Sequence, residues 1–246
     1  MIVAAAICPS PPLLAAELTG QADILPELRA ASAAAVTRLL ASAPDLVAVA
    51  GPAEATGTRD PEGALSLSAF APALRHGRSL VDNSKKRAEG RAAAAPLSLA
   101  LGVGAMLLDE AGYAGPRAFH GIAEDEPAAV CLALGRRIAA SAPRVALLAV
   151  GDGSARRSAS APGYLDERAA PFDGAVEAAV REGDLSAIAA LDQALAADLL
   201  AAGRPAWQVL AGALTAPHPR TEVLYSDAPF GVAYLVATLL PLGEGA

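Results

Sequence analysis

Cysteine, histidine and aromatic residues are scarce in this sequence. Its 246 residues include two cysteines, three histidines and only 4% aromatic residues. Cys8 and Cys131 belong to no CxxC pair, and two isolated cysteines disfavour a disulfide framework. Two free, buried thiols predict a reducing compartment, so we expect the protein in the cytoplasm. The histidines, at positions 76, 120 and 218, are too widely spaced for a histidine-rich metal cluster.

A basic surface and a long apolar run are also missing. The net charge is −7 and the basic residues cluster only between positions 85 and 91, which we interpret as a solvated loop. A nucleic-acid partner is therefore excluded, because it would require a basic stripe. The apolar run 230–240 is too short to span a bilayer, and the apolar start before Pro9 lacks the basic residues of a signal peptide. No membrane association is expected.

Hydrophobic residues are abundant, at 54%, and their pattern predicts the fold. Short apolar runs predict strands over residues 2–7, 45–50, 117–122, 144–150, 222–225 and 230–239. Helical spacing predicts helices over residues 25–40, 96–110, 127–141, 171–182, 185–202 and 205–213. This alternation indicates an α/β fold over residues 1–246, as a single domain with a mainly parallel central sheet and helices on both faces. The last two strands are close enough to form a hairpin, which would make the sheet mixed.

Polar residues follow several of the predicted strands, where open α/β sheets bind their ligands. The candidates at these strand ends are Ser10, Glu54, His120, Glu124, Asp125, Asp152, Ser154 and Asp227. Each also has a plain structural interpretation, such as a turn residue or a carboxylate at a helix N-terminus. The irregular stretches 51–95 and 151–170 are long enough to be functional or mobile loops.

Several segments resemble one known family, in matching order over nearly the whole chain. These are residues 4–14 (AAAICPSPPLL), 151–155 (GDGSA), 161–164 (APGY), 171–173 (PFD) and 225–234 (YSDAPFGVAY). They are similar to the catalytic B subunit of class III extradiol ring-cleavage dioxygenases, in the type found in actinobacteria. Memo-type proteins share that superfamily without being oxygenases, so the fold alone does not define the chemistry.

The resemblance implies an iron site that this chain matches poorly. Active family members hold Fe(II) with two histidines and a glutamate, and a further histidine transfers protons. Here Ser10 takes the place of the first histidine ligand, Glu54 lies near that of the second, and Asp227 is the nearest match to the glutamate. Ala155 stands where the proton-transferring histidine belongs, and His120 corresponds to a histidine that supports the ligands.

Three functions therefore stay open. The first is a family member that has lost ring cleavage and keeps a cleft for a small molecule or a partner. The second is an enzyme with a remodelled site, either metal-dependent through carboxylates or metal-free. The metal-free version would use Ser10, His120, Asp152 and Ser154. The third is an active dioxygenase with misaligned ligands.

The ligand and cofactor expectations follow from the same residues. Arg156 and Arg157 can grip a carboxylate or phosphate, so a small acidic or aromatic ligand is expected. No cofactor is expected; a site built from Glu54 and Asp227 would take a divalent cation that prefers oxygen, whereas the family uses Fe(II). A homodimer is the default expectation for the assembly.

Overall fold

Four apolar strands form the centre of the sheet. The computed structural model describes residues 1–19, 22–65, 95–214 and 218–241. Strands β1 (Ile2–Cys8), β2 (Leu46–Pro52), β4 (Arg117–Ile122) and β5 (Val145–Val150) pair in parallel in the order β4-β2-β5-β1. Nearly every residue of β1, β2 and β5 is buried, as expected for strands covered on both faces.

Antiparallel strands complete both edges of the sheet. β7 (Tyr234–Leu240) pairs with β1, and β6 (Arg220–Asp227) pairs with β7. At the other edge the short strand β3 (Gly57–Arg59) pairs with β4. The sheet order is thus β3-β4-β2-β5-β1-β7-β6, which confirms a mixed sheet with a parallel centre and the closing hairpin.

Helices cover the sheet on both faces, as predicted. Helices α2 (Pro26–Ala41) and α3 (Leu99–Glu110) pack with one set of strand side chains that includes Val49 and Leu148. The opposite face packs against α4 (Ala128–Ala139), α5 (Ala169–Glu182) and α8 (Arg204–Ala213). The shorter helices are α1 (Ala16–Thr19), α6 (Leu185–Ala189) and α7 (Gln193–Asp198).

Neighbouring parallel strands send their connections to opposite faces. The chain leaves β1 and β2 towards α2 and α3 on one face, and leaves β4 and β5 towards α4 and α5 on the other. Such divergence opens a crevice at the carboxyl ends of adjacent strands, where α/β proteins bind ligands.

Several predictions about single residues can be placed in this fold. Cys8 and Cys131 are free and buried, as predicted. His218 is exposed. His76 and the basic cluster at 85–91 lie outside the described residues. Within the described ranges, no helix is both long enough and apolar enough to cross a membrane.

Candidate functional site

Ser10 and Asp152 meet at the carboxyl edge of the sheet, between β1 and β5. The Ser10 backbone N–H donates to Asp152 Oδ1 over 2.6 Å, and its hydroxyl lies 3.4 Å from the same oxygen. The Asp152 carbonyl accepts from Gly203 N–H at the start of α8 over 2.8 Å. This contact places Ser10 and Asp152 at one edge of the sheet, as their positions after parallel strands predict. The further expectation that Ser10, Glu54, Asp152 and Asp227 line one cleft is not met, since only Asp227 of the four lines the cleft described below.

The surroundings of Asp152 disfavour its charge. Burial raises the pKa of Asp152 to about 6, although the hydrogen bonds from Ser10 act in the opposite direction. The phenol of Tyr234 lies nearby, and its pKa is raised by burial first and then by the charges of Asp152 and Tyr225. A carboxyl group whose pKa lies near neutrality can accept and return a proton under physiological conditions.

Ser154 belongs to a different cluster. Its side chain is fully buried and donates to Asp173 Oδ2 over 2.5 Å, while its backbone N–H donates to Asp173 Oδ1 over 2.9 Å. Arg157 adds an ion pair to Asp173 at 3.2 Å. Asp173 on α5 therefore ties the loop after β5 to the helix, and Ser154 is not available as a partner for Asp152.

His120 and Glu54 lie apart from the Ser10–Asp152 pair. His120 is in β4, Asp152 follows β5, and strand β2 lies between these two strands. Two strand spacings place the backbones of β4 and β5 roughly 10 Å apart. Burial, followed by the nearby charge of Arg137, lowers the pKa of His120. Glu54 is exposed on the loop after β2. The structure does not bring His120, Asp152 and Ser154 together into one catalytic group.

The two arginines after Ser154 have different environments. Arg156 Nη1 donates to the carbonyl of Gly163 over 2.7 Å, and its buried Nε has no partner in the described part of the chain. Arg156 is therefore held against its own loop. Arg157 is partly exposed and lines a cleft together with Asp173. Only Arg157 of the predicted pair is placed to contact a ligand there.

This cleft, named here the edge cleft, lies between α5 and the β6–β7 hairpin. Its volume is about 220 Å³. Its residues come from the loop after β5, α5, α8 and both strands of the hairpin. They are Gly153, Arg157, Ala170, Asp173, Gly174, Val176, Glu177, Trp207, Ser226, Asp227, Ala228, Ala233, Tyr234 and Leu235. Among the residues predicted from sequence, Arg157 and Asp227 line the cleft.

The remaining polar residues of the edge cleft had not been predicted. Glu177 accepts a hydrogen bond from Ser226 across the cleft at 2.6 Å, which lowers the pKa of Glu177, and it also pairs with Arg181. Trp207 is buried, and its Nε1 has no hydrogen-bond partner within the described ranges. The sequence contains one signal for two of these residues: Asp173 and Glu177 are four positions apart, which places both on one side of α5.

The positions that the family resemblance assigns to iron do not assemble a metal site. Ser10 is hydrogen-bonded to Asp152, Glu54 is exposed on the loop after β2, and Asp227 lines the edge cleft. Within the described ranges, no group of three or more His, Cys, Asp or Glu side chains could hold a metal ion. These residues therefore do not fit the Fe(II) site of an extradiol dioxygenase.

The fold has a counterpart among solved structures. The chain is similar to the crystal structure of the uncharacterized protein JW3007 from Escherichia coli K12, with a TM-score of 0.56 and 16% sequence identity. The alignment covers 96% of this chain and 99% of that chain. No protein-family model and no curated protein matches the sequence. A likeness at this identity establishes the α/β fold and leaves the function to be argued from the site.

Proposed function

We propose that this chain is a class III extradiol dioxygenase-like protein of the cytoplasm that has lost Fe(II)-dependent ring cleavage and binds a small molecule in the edge cleft. The observation that carries the proposal is the cleft itself. It lies beside the loop after β5, near the carboxyl edge where α/β folds bind ligands, and it combines apolar walls with several polar groups.

The loss of iron chemistry is supported by the residues at the family's ligand positions. The Ser10 hydroxyl and the Glu54 carboxylate do not replace the two imidazoles that suit Fe(II), and Ala155 has no group that could transfer a proton. Ser10, which stands in place of the first histidine ligand, also directs its N–H and its hydroxyl to Asp152. A site without imidazole also lacks the base that the family uses near neutral pH.

Metal analysis and ligand binding test the two halves of this proposal. Protein purified without a histidine tag should contain far less than one iron per chain, even after anaerobic incubation with Fe(II) and desalting. Small molecules that raise its melting temperature should lose that effect in Gly174→Leu, which adds a large side chain at a lining position of the cleft. Stoichiometric iron would contradict the first half, and ligand binding that survives Gly174→Leu would contradict the second.

A metal-free enzyme is a second candidate, favoured by Asp152. Both hydrogen bonds that Asp152 accepts through its side chain end on Oδ1, so Oδ2 has no partner in the described part of the chain. With a pKa of about 6, this carboxyl group could act as a general base. Catalysis of this kind would rise with pH through that pKa and disappear in Asp152→Asn, with the fold retained.

A further inference from the structure

We infer that the edge cleft selects a small organic cation, an amine with an apolar body, rather than the acidic ligand expected from Arg156 and Arg157. This inference rests on the proposed small-molecule cleft and adds the chemical class of its ligand. It follows from the charges, the aromatic wall and the open space of the cleft.

Negative charge dominates the polar lining. Asp173, Glu177 and Asp227 line the edge cleft, and Arg157 is the one cationic residue that lines it within the described part of the chain. Arg157 already pairs with Asp173. Arg181 pairs with Glu177 from outside the lining, and its side chain is 54% exposed, so solvent screens it. Even counting Arg181, three carboxylates face two guanidiniums, and an added anion would be repelled.

Hydrogen bonds and ion pairs hold two of the lining carboxylates, Glu177 and Asp173, in place. The hydrogen bond from Ser226 and the pairing with Arg181 lower the pKa of Glu177, so it is negatively charged at neutral pH. Asp173 accepts from the N–H and the hydroxyl of Ser154 and from Arg157. A cation entering the cleft therefore meets fixed negative charges.

Trp207 supplies the wall for the body of the ligand. Its indole lies among Val176, Tyr234 and Leu235 in the lining, and aromatic faces attract organic cations. The buried Nε1 of Trp207 has no partner within the described ranges. Because buried polar groups are normally paired, an unpaired donor in a residue of the lining is unusual. The expected ligand is an amine with an apolar body that packs beside this wall.

Gly174 keeps the cleft open on the side of α5. A Cβ atom built at Gly174 meets no atom within 4 Å, and its φ angle is helical. A larger side chain at this lining position displaces no neighbours, so Gly174→Leu should obstruct the cleft and preserve the fold. Ala175 is exposed on the same helix and is absent from the lining, which makes Ala175→Leu the matched control.

Three probes of one shape test the sign of the charge. Phenoxyethylamine, phenoxyethanol and phenoxyacetate share a phenyl ether body and differ in carrying a positive, neutral or negative end. Titration calorimetry should give the amine a dissociation constant at least about tenfold lower than that of the alcohol, with the acid weakest. Gly174→Leu should abolish binding, whereas Ala175→Leu should leave it unchanged.

Two charge variants give opposite expectations. Glu177→Gln keeps an acceptor for Ser226 and should weaken amine binding about tenfold, with little effect on the alcohol. Arg157→Gln removes the cation of the lining and should tighten amine binding. If phenoxyacetate binds best and Gly174→Leu blocks it, the cation inference is wrong and the small-molecule cleft stands. If none of the three binds the parent protein, or if Gly174→Leu does not change binding, both are wrong.

Discussion

Asp152 shows how the fold changes the chemistry of a single residue. Its position after a buried strand was evident from sequence, and so was its place at the same edge as Ser10 once parallel strands were predicted. Its pKa was not evident, because the pKa depends on how deeply the fold buries the carboxyl group and on which hydrogen bonds reach it. Residue type and spacing do not encode either quantity.

Replacing Asp152 by asparagine should stabilise the protein above pH 6. The carboxyl group has a pKa of about 6 when folded and an ordinary value near 3.8. The folded state therefore binds more protons between these values, and its stability falls as pH rises through that window. Asparagine still accepts from Ser10 N–H without being charged, so we expect a gain of about 1–3 kcal/mol at pH 7.5.

Urea unfolding of both proteins at pH 4 and pH 7.5 measures this effect. The advantage of Asp152→Asn should be small at pH 4 and larger at pH 7.5. An advantage that is equal at both values, or a variant less stable than the parent at pH 7.5, would show that Asp152 ionises freely in the folded state.

The Asp173 side chain makes hydrogen bonds that stabilise the fold, whereas the Asp227 side chain is expected to contribute little to stability. Asp173 satisfies the buried hydroxyl and N–H of Ser154, whereas Asp227 accepts only from the neighbouring Ala228 N–H over 2.7 Å. Asp173→Ala should therefore lower the free energy of unfolding by at least about 2 kcal/mol. Asp227→Ala, the matched control, should cost less than about 1 kcal/mol. Equal losses in the two variants would contradict this assignment.

Among the helices, α4 and α8 pack unusually closely. A Cβ atom at Gly135 in α4 would lie 2.1 Å from the carbonyl oxygen of Val209, and one at Gly212 in α8 would lie 2.3 Å from that of Leu132. These contacts are with backbone atoms, which cannot move aside as a flexible side chain can. The two glycines therefore allow the helices to approach each other. Trp207 lies on α8, one of these two helices.

Two glycine-to-alanine changes in helices should have opposite effects. Gly135→Ala should destabilise the protein by about 1–3 kcal/mol, because the helices must separate. Gly174→Ala meets open space and should stabilise it by about 0.5–1 kcal/mol through helix propensity alone. Thermal melts of both variants test this pair, and a stable Gly135→Ala protein would contradict the close packing of α4 and α8.

Element boundaries were predicted well where apolar periodicity was strong and poorly where a polar residue interrupts it. The predicted helix 185–202 is divided into α6 and α7, because Asp192 caps a new helix by accepting from Leu195 N–H over 2.7 Å. The predicted strand 230–239 begins only at Tyr234, since Phe230 has a φ of 61° in a turn. Strand β3 was missed because its three residues contain no apolar alternation.

At the level of the whole molecule, the alternation of strands and helices was sufficient to predict the architecture. Of the edge cleft, the rule for strand ends identified Asp227 and missed Asp173, Glu177 and Trp207, because these three lie on helices and reach the cleft through tertiary packing. The expected homodimer remains a prediction. Sedimentation velocity at micromolar concentration should give about twice the 24.5 kDa mass of the chain, and a species of that mass alone would contradict it.

Oxygen uptake tests the central claim most directly. Protein loaded with Fe(II) under anaerobic conditions would be mixed with protocatechuate, gallate or catechol, and O₂ consumption followed together with the yellow ring-opened product. The positions of Ser10 and Ala155 predict no consumption above that of free Fe(II). Turnover at roughly 1 per second or faster, a rate typical of enzymes, would contradict the proposal that ring cleavage has been lost.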